Sequence, residues 1–120
     1  MPEITEVINT YIAAWNETDD ARRLELVTRA WAPDASYVDP LMSGEGHQGI
    51  DAMIAAAQEQ FPGHRFELSF GPDAHHDKVR FAWSLHGPDG GDPVAAGADF
   101  GTLAEDGRLK SVTGFLEQAA

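Results

Sequence analysis

Three polar side chains of this sequence could meet a small molecule in a pocket: Tyr11, Asp39 and Asp99. Tyr11 belongs to the apolar stripe of the first predicted helix, so its hydroxyl is carried into the interior, where it needs a hydrogen-bond partner. Asp39 ends a short predicted strand directly before Pro40. A carboxylate accepts protons and a phenol donates hydrogen bonds, so these residue types suit acid–base chemistry.

Asp99 lies in the middle of the segment VAAGADFGTL and shares one strand face with Ala95 and Gly97. Small side chains beside a carboxyl group leave room above it for a ligand. Each of the three residues also has an ordinary structural explanation. Tyr11 could be a core tyrosine bonded to a backbone carbonyl, Asp39 a turn residue, and Asp99 an outward carboxylate on the wet side of a sheet. Strand alternation alone does not say which face of the sheet is wet.

Hydrophobic spacing predicts that three helices come first in the chain and carry part of the candidate site. Apolar residues recur every three or four positions over Ile4–Trp15, from a start at Pro2. Asp19 is a good opening residue for a second helix, whose apolar face spans Leu24–Trp31. A third apolar stripe covers Ile50–Phe61.

The rest of the chain is predicted to be strands, because the period of apolar residues changes from about 3.6 to 2 after His64. A Gly-rich loop is expected over Met42–Gly49, between the first strand and the third helix. The predicted strands cover Ala35–Val38, Phe66–Phe70, Val79–His86, Val94–Leu103 and Arg108–Glu117. Helices followed by an antiparallel meander indicate an α+β domain in which helices cover one face of the sheet. A ligand pocket is expected at the mouth of such a curved layer.

Composition narrows the classes of function. The 120 residues suffice for one domain, expected over 1–120, and 42% of them are hydrophobic. A formal net charge of −12 disfavours binding to nucleic acids and to anionic membrane surfaces. The absence of cysteine excludes thiol nucleophiles and cysteine-containing zinc sites. The first twenty residues lack a continuous apolar stretch, so neither a signal peptide nor a membrane span is expected, and a cytoplasmic protein is the default.

Over essentially its whole length, the chain resembles the NTF2-like, or SnoaL-like, superfamily. The resemblance is carried by the segments TYIAAWN, WAPDASYVDP, GHQGIDAM, KVRFAWSLHG, VAAGADFGTL and DGRLKSVTGFLE. Within that superfamily, the ketosteroid isomerase branch is the most similar in function. Its helical tyrosine, its aspartate before a proline and its second aspartate in a small-residue strand resemble Tyr11, Asp39 and Asp99.

The resemblance implies an NTF2-like, or cystatin-like, cone of three helices packed in a strongly curved antiparallel sheet. It also implies proton transfer next to a carbonyl, with Asp39 as base and with Tyr11 and a neutral Asp99 as hydrogen-bond donors to the enolate oxygen. The substrate or ligand would be small and hydrophobic, and no metal or organic cofactor is needed. The residues expected to line the pocket are Trp15, Met53, Phe81, Trp83, Val112, Gly114 and Leu116.

Two other functions stay open on the sequence. The same fold could be a non-catalytic module that binds small hydrophobic ligands. A SnoaL-like polyketide cyclase or an epoxide hydrolase would keep Asp39 but use it on a polyketide or a water molecule. The hydrolase arrangement needs Arg80 to face inward, whereas its alternation with Phe81 and Trp83 indicates an outward position.

A homodimer is also expected. Val94, Ala96, Ala98 and Phe100 form an apolar strand face opposite Asp99, and Leu109, Thr113 and Phe115 are expected on the matching side of the last strand. Soluble domains rarely leave a large apolar patch uncovered. The sequence therefore predicts pairing of two copies through the outer face of the sheet.

Overall fold

The computed structural model describes residues 3–117, which form three helices and six strands. The helices are α1 (Ile4–Asn16), α2 (Asp20–Ala30) and α3 (Gly46–Gln60). The strands are β1 (Trp31–Val38), β2 (Ser43–Glu45), β3 (Arg65–His75), β4 (Lys78–His86), β5 (Ala95–Leu103) and β6 (Leu109–Leu116). Among residues 3–117, no helix combines the length and apolarity needed to cross a membrane.

The helices follow the predicted apolar stripes. α1 buries Tyr11 and Trp15 on the face that packs against the sheet, while the predicted start at Pro2 lies outside the described residues. α2 opens at Asp19, whose carboxylate accepts a hydrogen bond of 2.9 Å from the Arg22 backbone amide. Such a cap satisfies an amide that has no partner within the helix.

Two predicted helix boundaries are wrong. Trp31 was expected on the second helix, but it is the first residue of β1, fully buried and paired with Leu109 of β6. α3 begins at Gly46 instead of Ile50, so the expected loop Met42–Gly49 contains β2 and the first turn of α3. In both cases pairing within the sheet, which has no local sequence signal, decides the boundary.

The six strands form one sheet in the order β2-β1-β6-β5-β4-β3. β3 to β6 are the predicted antiparallel meander. One pairing corrects the expectation of an entirely antiparallel sheet, because β1 runs parallel to β6. The two strands are far apart in sequence, so no hairpin dictates their relative direction. The sheet is curved and unclosed, and the predicted α+β cone of three helices on a sheet is the observed fold.

β3 differs most from its prediction. It was expected to stop at Gly71, but it continues to His75 with register shifts on either side of Phe70. Phe70 therefore lies opposite Ala82 and is 54% exposed, whereas Leu68 packs against the core. An irregularity of this kind moves the following side chains to the other face of a sheet, which simple alternation misses.

The hydrophobic core lies between the helices and the concave face of the sheet. Leu109, expected on the outer face, is fully buried in this core, because the register shifts between Thr102 and Leu103. Phe100 and Phe115 point the other way and are 47% and 56% exposed. The concave face is thus the one available for an enclosed site.

Candidate functional site

Asp99 faces the concave side of the sheet, where it is 1% exposed. In the middle of β5 it lies between Phe81 of β4 and Gly114 of β6. Its Oδ2 accepts a hydrogen bond of 2.7 Å from the Tyr11 hydroxyl, and its Oδ1 accepts one of 3.2 Å from the Trp83 indole Nε1. The outward orientation that the sequence left open for Asp99 is therefore excluded. The buried Tyr11 hydroxyl bonds this carboxyl group and not a backbone carbonyl.

Asp39 is held at the end of β1 by three donors. The backbone amides of Leu41 and Met42 donate to Oδ1 at 2.8 and 2.9 Å, and the Tyr37 hydroxyl donates to Oδ2 at 2.6 Å. Asp39 is thus a turn residue, as one explanation held. It also lines a cavity together with Tyr11 and Asp99. Asp39 therefore both stabilises the turn and presents a carboxylate to the cavity.

Gly114 marks the point where these groups meet. A Cβ atom at this position would lie 3.0 Å from Asp99 Oδ1, and 3.1 Å from both Asp39 Cβ and Tyr37 Oη. Such distances are shorter than ordinary carbon contacts. A glycine on β6 therefore leaves the space in which the two carboxyl groups approach each other.

Gly97 has a similar role beneath Trp83, its neighbour across β4 and β5. A Cβ atom at position 97 would lie 2.5 Å from Cζ2 and 2.8 Å from Cε2 of the Trp83 ring. Without a side chain there, the Trp83 indole packs closely against Gly97 of β5, and its N–H reaches Asp99. The room left by the small residues beside Asp99 is thus filled in part by the Trp83 ring, and the rest belongs to the cavity.

The cavity above these groups has a volume of about 120 Å³. Three of the residues expected to line it do so: Trp15, Trp83 and Leu116. Its mouth carries exposed apolar side chains, among them Leu41 at 68% and Phe61 at 39%. The cavity therefore runs from a buried polar end at Asp99 to an apolar rim in solvent.

Four other expected lining residues lie elsewhere. Met53, Phe81 and Val112 are buried in the core and do not line the cavity, and Gly114 lies beneath the carboxyl groups. Alternation grouped Phe81, Val112 and Gly114 on one sheet face, but the residues of that face are divided between core and cavity by the helices above them. That division depends on tertiary packing, about which the alternation of side chains along a strand carries no information.

Sequence reasoning missed Tyr37 as a site residue. Its hydroxyl bonds Asp39 and its side chain lines the cavity. A signal existed, because residues two apart on a strand share a face. Tyr37 precedes Asp39 by two positions. Phe66 of β3, Met42 of the β1–β2 turn and Ile12 of α1 also line the cavity without having been predicted.

Burial and charge set the protonation of the site. Burial raises the pKa of Asp99 to about 6, the nearby charge of Asp39 adds to this, and hydrogen bonds from Tyr11 and Trp83 oppose it. Near pH 7 this carboxyl group is therefore mostly ionised, and it becomes neutral as the pH falls through 6. Burial, with the Asp99 charge next in size, raises the pKa of Tyr11 well above its usual value of 10, so this hydroxyl remains a donor.

The cavity walls are otherwise apolar. Within the described part of the chain, the side chains that line it include no lysine, arginine or histidine. Residues 3–117 also contain no group of three or more His, Asp or Glu side chains arranged to hold a metal ion. The arrangement provides hydrogen-bond donors and carboxylates in an apolar space.

Comparison with known proteins assigns the chain to a family. A profile described as a SnoaL-like domain matches residues 8–112. The chain belongs to the SnoaL-like family. No curated protein sequence matches it. Among solved structures, a SnoaL-like family member from Agrobacterium tumefaciens strain C58, provisionally named an isomerase, is 52% identical. The match covers 98% of this chain and 100% of that one, with a TM-score of 0.91.

Two solved structures of lower sequence identity share the fold. A cystatin-like protein of unknown function from Methylobium petroleophilum PM1 is 21% identical over 98% of this chain and 77% of its own, with a TM-score of 0.76. A provisionally named polyketide cyclase from Sinorhizobium meliloti is 20% identical over 95% and 94%, with a TM-score of 0.69. These two likenesses concern the fold alone.

Proposed function

We propose that this SnoaL-like protein is an isomerase-type enzyme that moves a proton next to a carbonyl group in a small apolar substrate. The observation that carries the proposal is the Tyr11–Asp99 hydrogen bond at the buried end of a cavity that Asp39 also lines. The 52% identical relative from Agrobacterium tumefaciens, provisionally named an isomerase, supports the same class of reaction.

In the proposed step, Asp39 takes a proton from the carbon beside the carbonyl. The electron pair of that C–H bond forms the enolate, and the negative charge develops on the carbonyl oxygen. In this step the Tyr11 hydroxyl turns its hydrogen from Asp99 to this oxygen, and protonated Asp99 donates a second hydrogen bond to it. Asp39 then returns its proton to a different carbon of the same molecule, so that the enzyme ends the cycle unchanged.

The proposed substrate is neutral as well as apolar. Two carboxyl groups face the cavity, and none of its lining residues in the described chain is basic, so an acidic or phosphorylated ligand would meet like charge. The net charge of −12 also repels anions at longer range. The proposal therefore favours ketones and related carbonyl compounds over their carboxylic acid analogues.

Protonation of Asp99 makes ligand binding depend on pH in a way that differs between ligand types. A ketone brings no proton, so Asp99 must be protonated before it donates. Since its pKa is about 6, ketone affinity should fall by up to about tenfold per pH unit above 6. A phenol brings its own proton to the Asp99 carboxylate, so its affinity should stay nearly constant between pH 6 and 8. Isothermal titration calorimetry with a matched cyclohexanone and phenol measures both.

The reaction itself is tested by isomerisation of a β,γ-unsaturated ketone, with exchange of its α-protons in D₂O as a second signal. Asp39→Asn keeps the shape of the side chain but cannot take the proton, so both signals should disappear while phenol binding remains. Tyr11→Phe should lower the rate roughly 100-fold, the usual effect of losing one oxyanion donor. Phenol affinity unchanged in both Tyr11→Phe and Asp99→Ala would contradict the donor roles.

A non-catalytic ligand-binding module is the second candidate. It is favoured because the polar groups of the site already form hydrogen bonds with one another. Asp39 accepts three hydrogen bonds, and Tyr11 donates its only hydrogen to Asp99. Phenol binding with no isomerisation and no proton exchange by the wild-type protein would support this candidate against the enzyme.

A further inference from the structure

The contact between Tyr37 and Asp39 is a polar interaction of the site that has no part in the proposed reaction. The two oxygens lie 2.6 Å apart, and the Tyr37 side chain is only 4% exposed. A phenol has one hydrogen to donate, and here it is directed at Asp39 Oδ2. Burial, followed by the charge of Asp99 and the hydrogen bond to Asp39, raises the pKa of Tyr37 above its usual value of 10. This hydroxyl is therefore a donor over the whole working range of pH.

The Tyr37 ring is held in place from several sides. Its centroid lies 5.6 Å from that of Trp15 on α1 and 6.2 Å from that of Trp31 at the start of β1. Its backbone pairs with Gly44 on one side and Val112 on the other, inside the sheet. Packing and pairing of this kind leave the hydroxyl little freedom to move away from Asp39.

The three donors to Asp39 leave one lone pair of its carboxylate free to react. A carboxylate oxygen has two lone pairs. The amides of Leu41 and Met42 occupy those of Oδ1, while Tyr37 occupies one of Oδ2. The remaining lone pair of Oδ2 is the position at which a proton from a substrate can be received.

We propose that Tyr37 is a positioning residue that makes Asp39, and not Asp99, the proton acceptor of the site. This inference rests on the proposed function and adds a residue to it. Asp39 accepts from three donors, whereas Asp99 accepts from two and is more deeply buried. Donors favour the ionised form of a carboxyl group and burial favours the neutral form. Tyr37 supplies the only side-chain donor to Asp39 among the described residues, so a substitution can remove it without changing the turn.

The test is Tyr37→Phe, followed by the isomerisation of a β,γ-unsaturated ketone between pH 4.5 and 8.5. Loss of the donor disfavours ionised Asp39, so the acid limb of kcat/KM should move to higher pH. kcat should fall about tenfold and KM should change less than twofold. Tyr11→Phe is the matched control, because it removes the other tyrosine hydroxyl in the cavity and should lower kcat without moving the acid limb. An acid limb in Tyr37→Phe that coincides with that of the wild type would overturn the inference.

A direct measurement separates this inference from the proposed function. If the wild type does not isomerise the ketone, the proposed function fails. The carboxyl signal of Asp39 in ¹³C-labelled protein, identified by its loss in Asp39→Asn, still reports the effect of Tyr37. Titration of this signal at higher pH in Tyr37→Phe than in the wild type supports the positioning role, and coincident curves contradict it.

A second variant covers the case in which Tyr37→Phe does not fold. The chain has two tyrosines, so growth on 3-fluorotyrosine in the Tyr11→Phe background labels Tyr37 alone. Fluorination strengthens the phenol as a donor with little change of shape. The Asp39 signal should then titrate at lower pH than in unlabelled Tyr11→Phe protein, and an unchanged or higher value would overturn the inference.

Discussion

Replacement of Asp99 by asparagine should change how the stability of the protein depends on pH. The ordinary pKa of an aspartate is 3.8, and burial raises that of Asp99 to about 6. This difference corresponds to about 3 kcal/mol. Because the folded-state pKa is the higher one, the cost is absent below pH 3.8, grows as the pH rises, and is complete above pH 6.

Asp99→Asn removes that cost but introduces another. The amide oxygen can accept from Tyr11 or from Trp83, and the remaining donor then meets the NH₂ group. An unsatisfied buried donor costs about 1–3 kcal/mol, independently of pH. The sign of the change at a single pH is therefore uninformative. The informative quantity is the increase in stability of the variant relative to wild type from pH 4 to pH 7.5, which should be about 2 kcal/mol.

Urea unfolding followed by tryptophan fluorescence at several pH values measures this quantity. Asp92→Asn is the matched control, since Asp92 is exposed before β5, and its stability relative to wild type should stay nearly constant. A difference between Asp99→Asn and wild type that is the same at pH 4 and 7.5 would refute the argument that burial sets the protonation of Asp99.

Three further outcomes are expected. Gly114→Ala places a methyl group 3.0 Å from Asp99 Oδ1 and should weaken phenol binding about tenfold. Gly49→Ala, where a Cβ atom finds nothing nearer than 4.0 Å, should leave phenol affinity unchanged. Equal calorimetric affinities of the two variants would contradict the expected role of Gly114. Arg23 is 3% exposed and bonds Asp51, whose side chain is 20% exposed, as well as Asp20 at the surface. Arg23→Ala should therefore lower the free energy of urea unfolding by about 3 kcal/mol, and a loss below 1 kcal/mol would show that the Arg23–Asp51 pair contributes little. We also expect a homodimer through the outer sheet face that carries Phe100 and Phe115. Light scattering should therefore give twice the chain mass of 13.0 kDa for the wild type and a single chain mass for Phe115→Lys. A wild-type monomer at micromolar concentration would exclude the dimer.

Much of the fold was predictable because its signals are local. The 3.6-residue period of α1 and the cap at Asp19 identify helices from neighbouring residues alone. The period of two and the Asp106-Gly107 turn identify the last hairpin in the same way. The predictions that were wrong concern features set by contacts between residues far apart in sequence. Trp31 is a strand residue because it pairs with Leu109, and the parallel pairing of β1 with β6 joins segments from opposite ends of the chain.

The candidate site likewise has features that local sequence predicts and features that only long-range packing decides. Tyr11, Asp39 and Asp99 could be selected from their types and neighbours, since an apolar helix stripe, a strand end and a small-residue strand are all visible in the sequence. Whether Asp99 faced helices or solvent could not be decided, because alternation is symmetric between the two faces of a strand. The packing of α1 against the sheet resolved this by bringing the Tyr11 hydroxyl to Asp99.

The sequence by itself therefore predicted the three helices and every strand of residues 3–117 except β2. It also showed which side chains are polar in apolar surroundings, and that the protein is too acidic to favour anionic partners. Only the tertiary structure decided which of these groups meet. The Tyr37–Asp39 contact, the position of Gly114 beneath two carboxyl groups, and the division of concave-face residues between core and cavity depend on register and on helix placement. Register and placement follow from the packing of distant segments, and that information is spread over the whole chain.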